Sequence, residues 1–348
     1  MPFGVYVHIP FCARRCDYCA FAVWTDRASL MSSYVDACRR EVLASSMPIA
    51  TSVYVGGGTP SLLPGDLLAS LLDGIARVEG AEVTVECNPE DASAALFDAW
   101  QRAGVTRVSF GVQSMVPAAL SELTRRHTPA DVGAAVALAR AAGFETFGVD
   151  LIYGARGESP DDWRRTVEAV IALDPPHVSA YGLTVEPGTA LWRAPGRWPD
   201  DDDQASKYLL ADELLSEAGL GWYEVSNWAR PGHECRHNRL YWAQGDYRGI
   251  GCAAHSHFAG RRWWNVRTPE RYIALVGAGR SPEAAGESLS EDSRRFEGLA
   301  LSLRTREGVP AGTLPVDELA DLVSVSGMRA SLTARGRLLA NEVSLRLQ

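Results

Sequence analysis

The chain has 348 residues, 46% of them hydrophobic and 22% charged, and a formal net charge of −9, which describes a globular protein with room for one large domain and a smaller one. The acidic balance argues against nucleic acid, or an anionic membrane, as a partner held by bulk electrostatics, leaving at most peripheral membrane contact. No apolar run reaches the ~18 residues of a spanning helix and no signal-peptide pattern opens the chain, so a cytoplasmic location is expected.

Near the start, Val5, Val7 and Ile9 alternate as a strand that Pro10 stops, and Cys12, Cys16 and Cys19 follow at the spacing Cys-x-x-x-Cys-x-x-Cys. Thiolates are soft ligands, and three from one loop can hold three corners of an iron–sulfur cluster while leaving the fourth iron open. A structural zinc loop is the competing reading, but it wants a fourth ligand, for which His8 is the nearby candidate. Disulfides fit less well, because an odd set crowded into one loop cannot pair internally. Cys38, Cys87, Cys235 and Cys252 are scattered and read as reduced thiols.

Tyr34 to Leu43 reads as a helix, and Thr51–Val55 as a strand running into Gly56-Gly57-Gly58-Thr59-Pro60. A helix around Leu67 to Val78 precedes the strand Glu82–Glu86, and Asp91 is placed to cap the helix carrying Leu96, Phe97 and Trp100. Strand Arg107–Phe110 ends before Gln113, and Thr128-Pro129 opens a helix that Gly143 closes. Strand Thr146–Ile152 contains Asp150, Ser159-Pro160 opens the next helix, and His177–Leu183 is the sixth strand. Asp200 to Asp203 read as a solvated cap on the helix from Gln204 to Ala218.

Six strands alternating with helices predict an α/β fold, an incomplete (β/α)6 TIM-like barrel. The cysteines, the Gly56 turn, Glu86, Gln113, Asp150 and the segment around Thr184 all sit at or just after strand ends, where such barrels build their sites. From Trp222 the character changes, with Trp222, Trp228, Trp242, Trp263 and Trp264 crowding together with His233, His237, His255 and His257. We therefore divide the chain into a core domain, 1–228, and a smaller, mainly helical domain, 229–348. Its ending alternates helical patterns over Asp317 to Val325 and Leu332 to Leu347 around Gly327, a pattern that suggests a small helical, winged-helix-like end.

The cysteine spacing, with Tyr18 before the last ligand, resembles the radical S-adenosylmethionine (SAM) enzymes. The phrase Tyr6-x-His8-Ile9-Pro10-Phe11-Cys12 is similar to the oxygen-independent coproporphyrinogen oxidase group and its relatives, the HemW heme chaperones. This resemblance implies a barrel of the radical SAM type and a 4Fe-4S cluster on Cys12, Cys16 and Cys19 whose open iron takes S-adenosyl-L-methionine. It further implies Tyr6 packed on the nucleoside, Gly57, Gly58 and Thr59 at the methionine end, and Glu86 on a ribose. Gln113, Arg125 and Asp150 match a polar set that holds a second SAM in the oxidase. For each of these a purely structural role is the alternative, such as a buried carboxylate paired with an arginine.

Two departures separate the relatives. Phe21 stands where the oxidase pattern has a further cysteine, and His237-Asn238-x-x-Tyr241-Trp242 matches the chaperone motif, which implies a heme contact at His237. On the residues alone a hydrogen-bonded core histidine between aromatics is the better reading, and the resemblance brings the heme contact level with it. Gly249-Ile250-Gly251 is also similar to the chaperones, and His255 beside it is expected to face SAM. Ala155-Arg156 replaces a usual Leu-Pro, and Gly308 to Leu332 is shortened, although Leu332 to Val343 resembles the family ending. The resemblance implies a heme chaperone that delivers heme to heme-accepting respiratory proteins, takes electrons for its cluster from an electron donor, and lacks coproporphyrinogen oxidase activity. The alternative is that oxidase itself, a radical decarboxylase.

Overall fold

The computed structural model describes residues 2–347. Six parallel strands form its centre: β1 (Phe3–Ile9), β2 (Ala50–Gly57), β3 (Arg77–Cys87), β4 (Arg107–Gln113), β5 (Thr146–Tyr153) and β6 (His177–Gly182). Between and after them come α1 (Met31–Ala44), α2 (Gly65–Asp73), α3 (Ala94–Arg102), α4 (Pro117–Glu122), α5 (Pro129–Ala141), α6 (Pro160–Ala172) and α7 (Asp201–Glu217). Thr128 and Ser159 each make a capping box, with Asp131 and Asp162, ahead of a first-turn proline. Asp200 caps α7, with Asp201, Asp202 and Asp203 in its first turn. Two details differ from expectation. α2 stops at Asp73, because Arg77 and Val78 already belong to β3, and Ser93 caps α3 while Asp91 accepts from the Ser61 hydroxyl at 2.7 Å.

Alternation decides what each strand shows to either side. Val53 and Val55, Val83 and Val85, Val108 and Phe110, and Val149 and Leu151 are buried in one continuous apolar core. The residues that alternate with them, Tyr54, Thr84, Ser109 and Asp150, and Glu86 after Val85, face a shared cavity. The barrel stays open because β1 and β6 find other partners. Beyond β6 lie β7 (Gly221–Glu224) and β8 (Asn227–Ala229), of which β8 pairs with β6; beyond β1 lie β9 (Asp246–Ile250), β10 (His255–Phe258), β11 (Arg261–Asn265) and β12 (Glu283–Ser288). The whole is a 12-stranded sheet.

Residues 229–348 hold more strand than the helical ending expected for them. Besides α8 (Arg236–Trp242), α9 (Pro269–Gly277), α10 (Glu291–Leu303), α11 (Ala334–Leu338) and α12 (Ala340–Ser344), they supply β9 to β12. They also form a separate sheet of β13 (Val309–Pro310), β14 (Val323–Ser326) and β15 (Arg329–Leu332). The physical reason is visible at Gly327, whose φ of 58° lets β14 turn directly into β15, with Ser326 opposite Arg329. A second small core, including Leu303, Val309, Val323 and Val343, lies under this sheet.

Glu41 of α1 fastens the β9 side to the barrel. Nearly sealed from solvent, it accepts from Arg248 at 3.2 Å, Gly251 N at 3.0 Å, Asn265 at 3.0 Å and Tyr272 at 2.6 Å. A buried carboxylate is tolerable when its lone pairs are taken up in this way. Arg337 of α11 pairs with Asp212 of α7 and fixes the ending. No helix among the described residues is long and apolar enough to cross a membrane.

Candidate functional site

Pro10 ends β1, and the cysteine segment leaves and returns at one point: Cys12 N donates to Trp24 O at 3.0 Å, and Trp24 N to Pro10 O at 2.8 Å. His8 holds the far side through Nε2 to Ala22 O at 2.9 Å. A carbonyl only accepts, so Nε2 carries the proton and Nδ1 accepts from the Tyr6 hydroxyl at 3.1 Å. The glycine turn then locks on, Gly58 N to Ile9 O and Thr59 N to Phe11 O, both at 2.8 Å. Only glycine fits there. A Cβ on Gly58 would stand 2.7 Å from the Ile9 and Phe11 carbonyl oxygens and 3.1 Å from Cys12 Sγ, and Gly57 has φ +107°.

These segments close one end of a cavity of about 510 Å³. Cys12, Cys16, Cys19, Gly57, Gly58, Thr59, Glu86, Gln113, Arg125 and Asp150 all line it. The sulfurs receive donors: Thr59 Oγ1 lies 3.5 Å from Cys12 Sγ and Arg125 Nη1 lies 3.6 Å from Cys16 Sγ. Burial pushes the Cys12 thiol up to about 11 and raises Cys19 as well, so a metal must displace the protons it replaces. Among the described residues, no group of three or more His, Cys, Asp or Glu gathers closely enough to hold a single metal ion. Three thiolates from one loop are the donor set that a cluster takes, each on its own iron.

Glu86 accepts from Tyr54 Oη and from Gly57 N, each at 3.0 Å. Burial and then the neighbouring Asp150 carboxylate push its pKa up to about 7, against the pull of those two donors. Asp150 is likewise raised by burial, while Ser109 donates to it at 2.7 Å. Arg125 is held by Asn88 Oδ1 at 2.6 Å and Gly111 O at 3.0 Å. Gln113 has φ 66°, beside a register break at Gly111, a strained turn that sends its side chain to the cavity wall.

Three expected site residues lie elsewhere. Tyr6 does not line the cavity; it stands behind the turn, bonded to His8. His255 is exposed on β10, its ring stacked on Trp264 at 5.5 Å, because β9 separates β10 from β1. His237 on α8 is wholly buried, with Nδ1 at 2.9 Å from Ser52 Oγ and Nε2 at 2.9 Å from Tyr241 Oη. Burial lowers its pKa to about 3. With both ring nitrogens hydrogen-bonded to hydroxyls, this is the geometry of the core-histidine reading, and a heme contact at His237 requires one of these bonds to open.

The sequence reading passed over Tyr54, Thr84, Asn88, Arg107 and His177, all of which line the cavity. Thr84 Oγ1 and His177 Nδ1 are buried there without a protein partner. Their signal was polar residues at every second position of strands otherwise built of Val and Phe: Thr84 and Glu86, or Arg107, Ser109 and Gln113.

The sequence profile of the Radical SAM superfamily matches residues 6–170. "Heme chaperone HemW" of Mycobacterium tuberculosis H37Rv is 45% identical over 98% of this chain and 94% of its own length. The proteins of that name from Escherichia coli K12 and Bacillus subtilis 168 are 38% and 32% identical, over 73% and 98% of this chain and 70% and 97% of their own lengths. Among solved structures, coproporphyrinogen III oxidase (HemN) of Escherichia coli, described as a radical SAM enzyme, superposes with a TM-score of 0.85. It covers 99% of this chain and 89% of its own, at 23% identity, a likeness of fold.

Proposed function

The chain belongs to the radical SAM superfamily and within it to the HemW heme chaperones, and from that premise we propose that it binds a 4Fe-4S cluster, SAM and heme and passes heme to acceptor proteins. The observation that carries the cofactor part is the meeting of Cys12, Cys16 and Cys19 with the Gly57–Thr59 turn and Glu86 on one cavity. In this reading the three cysteines hold the cluster, and the rigid glycine turn brings backbone polar groups close to the methionine moiety. Glu86 accepts from a ribose hydroxyl with the lone pairs that Tyr54 and Gly57 leave free. Gln113, Arg125 and Asp150 complete the polar wall. The cluster and SAM, when bound, would supply one-electron reductive chemistry, with the electron coming from a separate donor. The protein's share is to orient the sulfonium and to exclude water and oxygen.

We assign residues 1–228 to this cofactor core and 229–348 to the part that distinguishes the chaperones. The reading extends to a cytoplasmic protein with a separate electron donor and respiratory proteins as heme acceptors. The names of the relatives and the phenylalanine at position 21 both favour the chaperone over the oxidase. The test is anaerobic reconstitution followed by two assays on one preparation. Transfer of heme to an apo-acceptor without formation of protoporphyrinogen is the expected result. Protoporphyrinogen at the turnover of an oxidase run alongside reverses the reading.

A further inference from the structure

The cavity changes character from its floor to its mouth. Inside, Arg125 is committed to Asn88, Gly111 and Cys16. At the mouth three other arginines line the same cavity, Arg14 and Arg15 on the cysteine loop and Arg126 beside Arg125. All three are exposed, and none is in an ion pair with any described residue. On a chain of net charge −9 they gather three guanidinium groups without a carboxylate partner around one opening, Arg15 donating only to the Cys19 backbone oxygen at 3.4 Å. Two exposed aromatic rings line the same cavity, Phe21 at 61% just after the cysteine loop and Tyr181 at 41% near the end of β6. Large aromatic side chains left in water beside a concave surface mark a place where something flat and apolar is covered.

We propose that this mouth is the docking site for the heme, with Phe21 and Tyr181 against the macrocycle and Arg14, Arg15 and Arg126 on its two propionate carboxylates. The proposal rests on the heme reading above and adds to it the place and the recognised group. A planar tetrapyrrole dicarboxylate matches the mouth in both respects, since an apolar disc needs the aromatic wall and paired carboxylates need guanidinium forks. It also gives Phe21 a use: the position that in the oxidase pattern carries a further cysteine here carries an exposed ring at the rim. An acidic electron-donor protein would meet the same exposed arginines but gives the exposed Phe21 ring no flat apolar partner, and it is an outcome of the test.

The test compares ferric heme with its dimethyl ester, which keeps the disc and removes both negative charges. Each is titrated into the anaerobically reconstituted full chain, followed by difference absorbance and tryptophan quenching. The wild-type protein should bind the free acid about tenfold or more tightly than the ester, and less tightly as salt rises. Arg126→Gln and Arg14→Gln, compared at matched iron content, should each lose about threefold to tenfold for the free acid and little for the ester. Equal binding of acid and ester by the wild type overturns the docking site while leaving heme binding intact. So does a preference that survives in the Arg14→Gln, Arg126→Gln double variant. Slower reduction by an acidic flavoprotein in that double variant, with its preference for the acid unchanged, overturns it in favour of a donor surface. Binding of neither ligand removes the heme reading and the docking site with it.

Discussion

The cavity wall and the neighbourhood of His237 both carry the residues from which binding sites are made, and they differ in what those residues have left to give. At the wall, Glu86 uses two donors, the thiols receive one long contact each at Cys12 and Cys16, and Thr84 Oγ1 and His177 Nδ1 have no partner. Around His237 the valences are spent. The imidazole lies between Ser52 and Tyr241, its backbone N–H goes to Glu82 at 3.0 Å, and its ring packs 5.5 Å from Tyr54. Two tryptophans of the same segment are engaged as well, Trp263 under Arg248 and Arg261 and Trp228 through Nε1 to Asp212, whereas Trp242, under Arg304, keeps a buried Nε1 without a partner. A motif names a chemistry, whereas the unmet hydrogen-bonding capacity around it decides whether that chemistry serves a ligand or the fold.

The comparison breaks most completely if the thiols are dispensable. Replacing Cys12, Cys16 and Cys19 together by alanine should abolish the anaerobic visible absorbance and bound iron, since thiolates are the one ligand set at cluster spacing. Iron loading at the wild-type level in the triple variant would refute the assignment.

The other side of the comparison predicts a folding effect. His237→Ala removes a fully buried ring, leaves the Ser52 and Tyr241 hydroxyls unmatched, and should cost on the order of 2 kcal/mol in denaturant unfolding, with the heme absorption band unmoved. A pH dependence accompanies it. A histidine whose pKa falls on folding from the ordinary 6.5 to about 3 stays neutral in the native state, so its contribution is full above 6.5 and fades as pH falls toward 3. The alanine variant should therefore lose less stability than the wild type on going from pH 7 to pH 5. A shifted heme band at unchanged stability restores the axial-ligand role.

Much of the cavity could be read from the sequence because its signals are local: a proline stop, three cysteines, three glycines after a strand. The parallel barrel was readable from strands and caps for the same reason. The fate of His237, His255 and Tyr6 was not, because it depends on long-range neighbours: Ser52 is 185 residues from His237, and β10 is held off the barrel by β9. The strands β9 to β12 were hidden too. A run such as Arg261–Asn265 mixes arginine, tryptophan and asparagine, and becomes a strand by pairing on both sides with β10 and β12.

A smaller effect sharpens the cavity side. Glu86→Gln preserves size and one acceptor but removes the charge, so SAM affinity should fall about tenfold by calorimetry, with iron content retained. In the wild type the ribose needs the ionised form, and with a folded pKa near 7 SAM affinity should rise from pH 6 to pH 8. The sign for stability is opposite. A carboxylate raised from 4.5 to about 7 on folding favours the SAM-free native state fully below 4.5, and that advantage is lost as pH climbs through 7. Flat SAM affinity across that range would return Glu86 to a structural role.

The smallest effect concerns how the cysteine segment is held from outside. Asp17, between Cys16 and Cys19, accepts from Arg197 Nη1 at 2.8 Å, while the same guanidinium gives Nε to the Glu122 carboxylate at 2.6 Å and Nη2 to its backbone oxygen at 2.8 Å. Leu191 N donates to Asp17 O at 3.0 Å, and Asp17 N to Thr124 Oγ1 at 3.3 Å. The stretch bearing two of the thiols is thus clasped to the segments that follow β6 and α4. These pairs are partly exposed, 23% for Arg197 and 31% and 20% for its partners, so solvent screens them and Arg197→Gln should cost only about 1 kcal/mol of stability. Its distinctive consequence is local. If the clasp limits opening of the loop, the reconstituted variant should bleach in air about threefold faster than the wild type, with Arg197→Lys between the two. The same bleaching rate in all three proteins would mean that the glycine turn and His8 hold the loop without help from outside.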